Sequence, residues 1–202
     1  YDFKVEPTTS NAIKLNLNGI KKISKERILV ELYKILDLNN FKNLNESTDL
    51  KEIFIIIFPE FKNLERLKRL NKICDYSQID RSLLLATLLI DDKDTHEYFG
   101  HKYNISKNIK DNLHFFARNL KLIKENKNFF DKDLEKNIYT HDKDYLIKLN
   151  ILNFTINSKL KFKDFYETLK RILKSKTHKF TIDGKYLIDN GMQQGLLMGK
   201  VL

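Results

Sequence analysis

"SKERILVELYKIL", residues 24–36, sets how the rest of the chain is read. Ile28, Leu32 and Ile35 step four and three residues apart, with Leu29 and Leu36 beside them. The polar residues fall on the opposite side of a 3.6-residue period, so the stretch reads as an amphipathic helix. Ser24 stands where an N-cap belongs, Glu26 falls in the first turn and Lys34 near the end, the charge order that the helix dipole favours. The same spacing returns in Leu113, Phe116, Leu120 and Ile123, in Tyr145, Leu149 and Leu152, and in Phe162, Phe165, Leu169 and Ile172. Alternating β-branched runs are nearly absent. The expected class is all-α, a multi-helix array.

Working outward, Thr9 after Pro7 is expected to cap a short first helix that turns Ala12 and Ile13 inward, with Gly19 ending it. "IFIIIF" at 53–58 reads as buried, in a helix that breaks before Pro59. "LERLKRLNKI" (64–73) and "DRSLLLATLLI" (80–90) predict two further helices, the second apolar on most of its circumference and therefore central. "DDKDTHEYFGH" (91–101) is polar and reads as a surface connection, with Gly100 as a helix stop. The resulting division is 1–36, 37–105 and 106–202.

With 202 residues and 42% apolar content, the chain can close a real core. Its single cysteine, Cys74, excludes an intrachain disulfide and fits a reducing compartment. The longest apolar run is far below the roughly 18 residues of a membrane span, and the first residues lack a signal peptide's pattern. A cytoplasmic protein without a membrane partner is expected. The net charge of +10 favours polyanionic partners, the alternative being a solvated lysine-rich helix face. Nine Lys/Arg against three Asp/Glu lie between Lys159 and Lys185. "KFKDFYETLKRIL" (161–173) turns Phe162, Phe165, Leu169 and Ile172 inward and leaves Lys163, Lys170, Arg171 and Lys174 outside.

Four of the six glycines, Gly184, Gly191, Gly195 and Gly199, fall at the end of the chain. Here Asp183 and Gly184 open a short helix "KYLIDN", Gly191 suits its left-handed cap, and Gly195 precedes a second short helix, "LLMGKVL". The reading is a closing helix, glycine hairpin and helix. The free N–H groups near Gly195 offer a place for a phosphate; the alternative is that the glycines only let two short helices pack closely.

The pattern Gly184, Leu187, Gly191, Gly195, Gly199, Leu202 resembles the C-terminal signature of bacterial tRNA nucleotidyltransferases, the CCA-adding enzymes and their relatives the poly(A) polymerases. "EPTTSNAIKLN" followed by Ser24, Glu26, Arg27 and Ile28 is similar to the neck of that family. "LKEIFIIIFPEF", ending in Pro59 and Glu60, resembles the start of its body domain. Leu196 stands where the family has a proline, so the hairpin departs from the pattern. The resemblance implies a neck, body and tail without the catalytic head, which would carry the glycine-serine turn, the paired carboxylates, the Mg²⁺ and the nucleotide.

On that reading the chain has no catalytic residue or cofactor of its own and catalyses nothing alone. It binds and positions tRNA or another structured RNA. The expected RNA contacts are Lys170, Arg171, Lys174, Lys176, Lys179 and Lys185, with the backbone of Gly195, while Ser24, Glu26 and Arg27 stiffen the neck, the alternative for Glu26 and Arg27 being ordinary exposed first-turn residues. The alternatives are a helical interaction module that docks a separately encoded head and self-associates through its neck, or a relic of a split gene. Asp91, Asp92, Asp94 and Glu97, with His96 and His101, form the best metal candidate, but a solvated loop explains them equally well. His114, His141 and His178 are isolated and read as structural or surface groups, and Cys74 as a small buried one.

Overall fold

The computed structural model describes residues 6–38, 41, 44, 48–73, 79–176 and 184–195. Among them the chain forms α1 (Pro7–Asn16), a 3-10 turn (Leu17–Lys22), α2 (Lys25–Leu36), α3 (Thr48–Ile57), α4 (Arg66–Asn71), α5 (Arg81–Leu89), α6 (Thr95–Lys102), α7 (Lys107–Glu125), α8 (Leu134–His141), α9 (Lys143–Ile156), α10 (Phe162–Lys174) and α11 (Gly184–Asp189). No strand occurs among the described residues. The all-α reading holds.

Side-chain caps start several of these helices. The Ser24 hydroxyl accepts from the N–H of Arg27 at 3.3 Å, as the sequence predicts, and the Asp80 carboxylate accepts from the N–H of Leu83 at 2.8 Å. Asp142, with a φ of 70°, separates α8 from α9 and accepts from the N–H of Asp144. Each cap satisfies a donor that the helix leaves unpaired, worth about 1 kcal/mol.

Helix α5 lies at the centre, with Leu83 through Leu89 all buried. Helices α2, α4, α6, α7 and α9 surround it, and α10 packs on α9. The buried apolar residues form one cluster from Leu29 to Ile172. Beside α5 the turn through Pro59 is walled by aromatic rings: Phe54 stacks on Phe61 at 5.3 Å, and Phe61 meets Phe99 at 5.4 Å. Within that wall the buried Glu60 carboxylate accepts from Lys102 Nζ at 2.6 Å. Helix α3 ends at Ile57, before Pro59, as expected, but of residues 53–58 only Phe54 and Phe58 are buried and Ile56 is exposed.

Arg69 ties α4 to the end of α9. Its guanidinium lies over the Phe154 ring at 4.1 Å and donates to the carbonyls of Phe154, Asn157 and Leu160 at 2.8, 3.1 and 2.7 Å. Phe154 lies in the last turn of α9, where carbonyls lack an intrahelical partner, Asn157 is the C-cap, and Leu160 follows in the turn beyond it.

Several expectations are corrected. Helix α1 starts at Pro7, whose missing N–H costs nothing in a first turn, so Thr9 is inside the helix and not its cap. Ala12 and Ile13 are exposed and Ser10 is the buried residue of α1; Gly19 sits inside the 3-10 turn. The polar stretch 91–101 is no loose connection. It contains most of α6, with His96, Phe99 and Gly100 buried. Gly100 does not stop the helix, which continues to Lys102; a Cβ there would meet the Ile105 side chain at 3.4 Å. In α10, Phe165, Leu169 and Ile172 are buried as predicted, but Phe162 is partly exposed.

Candidate nucleic-acid interface

Helix α10 carries the basic surface that the sequence singles out, and its inner face fixes which cations look outward. Burial of Phe165, Thr168, Leu169 and Ile172 against α9 leaves Phe162, Tyr166, Lys170, Leu173 and Lys174 exposed. Three of these form a ladder at four-residue steps. The rings of Phe162 and Tyr166 lie 6.3 Å apart and nearly parallel, at 8°, and Lys170 Nζ sits 4.5 Å from the Tyr166 centroid. The rings are engaged with each other and with Lys170, and what the ladder leaves toward solvent is the Lys170 charge, available to a phosphate.

The other predicted contacts are differently placed. Arg171 donates to Asp131 at 2.9 Å and to the Thr168 hydroxyl, so it meets a phosphate only by exchanging that partner. Lys174 is exposed at the rim of a groove of about 460 Å³ that Asp131, Lys132, Glu135 and Arg171 also line. Lys176 is exposed, as is Lys185 on α11. Lys179 lies outside the described residues, with Cys74 and His178. Gly191 has the left-handed φ of +90° expected of a cap, and the Met192 N–H returns to the Leu187 carbonyl at 2.9 Å. Gly195 is exposed, and a Cβ there would meet nothing within 4 Å. The second closing helix falls outside the described residues.

The neck residues occupy a different surface. Ser24 is the α2 cap, and Glu26 and Arg27 are exposed in its first turn. Arg81 holds the far end of α2, pairing with Asp37 and lying 4.2 Å over the Tyr33 ring. Lys14 bridges α1 to Asp49 and Glu52 of α3 at 3.0 and 2.7 Å. These contacts, Glu52 first, raise its ammonium above the usual lysine range. Around them Leu15, Ile23, Val30 and Ile56 are exposed, Leu15 at 82%. A groove of about 500 Å³ runs between the 3-10 turn, α2 and α3, with Leu17, Ile20, Ile23, Ile28 and Ile56 among its walls.

The acidic stretch is dispersed by ion pairing. Asp92 faces Lys124 and Asp94 faces Lys121. Asp91 accepts from the Thr95 hydroxyl at 2.7 Å and from the amides of Thr95 and Lys93. Burial alone would raise its carboxyl, but these hydrogen bonds and the Arg66 charge hold it below the usual carboxylate range. What the sequence leaves isolated, the fold assembles: His114 of α7 lies beside His96 and Glu97 of α6. Burial lowers the His96 imidazole below the ordinary histidine range. His141 packs edge-on against Phe115 at 5.1 Å, a structural position.

Residues 2–64 match the family model described as "Probable RNA and SrmB- binding site of polymerase A". The match agrees with the resemblance to the C-terminal part of the poly(A) polymerase and CCA-adding family, and it covers the neck residues and the Pro59–Glu60 landmark. No curated protein matches the chain. The lysines of α10 lie beyond the matched region. That region is nearly neutral, with ten Lys/Arg and nine Asp/Glu, so almost all of the +10 charge resides in residues 65–202. No described helix is long and apolar enough to cross a membrane.

Proposed function

We propose that this chain binds and positions structured RNA, tRNA foremost, for a polymerase A-like nucleotidyltransferase, and does not itself carry the chemistry. The match of residues 2–64 to an RNA-binding region of polymerase A carries this reading. Two features support it further: the charge excess beyond residue 64, and the exposed Lys170 and Lys174 on α10. A helical surface of this kind binds an A-form stem through phosphates and shape without reading its sequence. Lys170, Lys174, Lys176 and Lys185 serve as direct phosphate contacts. Arg171 joins them by leaving Asp131, Lys179 by its place in the same basic run, and Gly195 through its backbone.

The test is fluorescence anisotropy of labelled tRNA lacking its CCA end, at two salt concentrations, with a single-stranded RNA of equal length as competitor. Submicromolar, salt-sensitive binding that the single strand fails to displace is expected. Lys170→Glu with Lys174→Glu should weaken it about tenfold or more and flatten its salt dependence. Weak binding that any RNA competes away, or reversal variants that bind as the parent does, would reject the assignment.

One observation favours a second reading. The exposed apolar side chains around the 3-10 turn and the groove beside them suit a protein partner, such as a separately encoded catalytic head. Copurification of a palm-bearing protein that Ile23→Asp and Ile56→Asp abolish would favour it.

A further inference from the structure

His96, Glu97 and His114 meet in a small recess between α6 and α7. Each offers one ligand atom, and these atoms all lie within 4.8 Å of one another. The His114 Nδ1 and the Glu97 Oε1 are 3.6 Å apart, close to the spacing of two ligands on one tetrahedral ion with bonds of about 2.0–2.1 Å. The His96 ring stands edge-on to His114, with centroids 5.8 Å apart. His96 is only 3% exposed, and its buried Nδ1 has no hydrogen-bond partner. A buried polar atom left unpaired costs about 1–3 kcal/mol, a cost that a bound ion or an ordered water would remove.

We infer that His96, Glu97 and His114 form a binding site for a borderline-soft divalent cation, Zn²⁺ or Co²⁺. Two imidazoles and one carboxylate are a donor set that such ions take, and three protein ligands leave a position for water. His96 is fixed by the core, while Glu97 and His114 are exposed and close on the ion by side-chain rotation. The ion then fastens α6 to α7. Asp92 and Asp94 are not ligands in this arrangement, because their carboxylates face Lys124 and Lys121 and are not in the group of converging ligand atoms. Lys110 lines the same recess and opposes the cation.

Titration of the metal-free chain with ZnCl₂ by calorimetry, and with CoCl₂ by visible absorption, tests the site. One equivalent is expected to bind, with the intense ligand-field bands of tetrahedral cobalt and a raised Tm. His114→Ala and Glu97→Gln, both at exposed positions, should each weaken binding about tenfold or more, and Lys110→Gln should tighten it. His101→Ala, on the rim, should leave the affinity unchanged. Absence of stoichiometric binding, or equal affinity in the parent, His114→Ala and Glu97→Gln chains, would overturn the assignment.

Discussion

Among the described residues between Pro7 and Ile57, only Ser10, Leu29, Leu32, Leu36, Phe41 and Phe54 are buried, whereas α5 alone buries seven consecutive positions. The first region is nearly neutral and leaves Leu15, Ile23, Val30 and Ile56 in solvent; the region from α5 onward closes its core and carries the charge. The two regions therefore present different surfaces. The first offers exposed apolar side chains, and α10 offers exposed lysines. A match to an RNA-binding region need not sit where the lysines are densest.

Substitutions can break that contrast if it is wrong. Leu85→Ala in α5 should lower the unfolding free energy by about 3–4 kcal/mol in chemical denaturation, as a fully buried leucine leaves a cavity. Leu15→Ala should change it by less than about 0.5 kcal/mol, as befits an exposed position. Comparable losses at the two would erase the distinction. Arg69→Ala should cost about 2–4 kcal/mol in the same measurement, because three carbonyls and one aromatic face lose their cation.

Asp91→Ala should cost about 1 kcal/mol at neutral pH by removing the oxygens that organise the start of α6. The folded carboxyl is held below its ordinary value, so its stabilisation is present above about pH 4 and is lost as pH falls through the folded pKa. The parent and variant curves should accordingly converge in acid. Constant separation down to the acid limit would show that the carboxylate charge contributes nothing. The smallest effect is expected at Gly100→Ala. The backbone there is ordinary helix and the new methyl meets Ile105 at van der Waals distance, so Tm should be unchanged or slightly raised.

The helical period made most of the architecture readable: the buried faces of α7 and α10 and the centrality of α5 follow from spacing alone. Helix α6 escaped because two of its three buried residues, His96 and Gly100, carry no apolar signal. Phe162 escaped because it occupies the first position of α10, where Phe154, Phe165 and Tyr166 meet its ring but no preceding turn of the helix covers it. The candidate site was legible only in part. Composition along one helix marks Lys170 as outward, but the capture of Arg171 by Asp131 and the approach of His114 to His96 join residues far apart in sequence. Such meetings are properties of packing, which no local spacing encodes.

The Arg69 clasp has a consequence for how the protein is made. Its acceptors lie 85 to 91 residues further along the chain. While the ribosome is still translating the segment up to Leu160, α4 has emerged with a guanidinium that has nothing to hold, and the wall formed by Phe154 does not yet exist. The latch between α4 and α9 can close only after α9 has been made, which places it among the late, long-range contacts of folding. Pausing synthesis between α4 and α9 should therefore lengthen the time for which the α4 face stays uncovered.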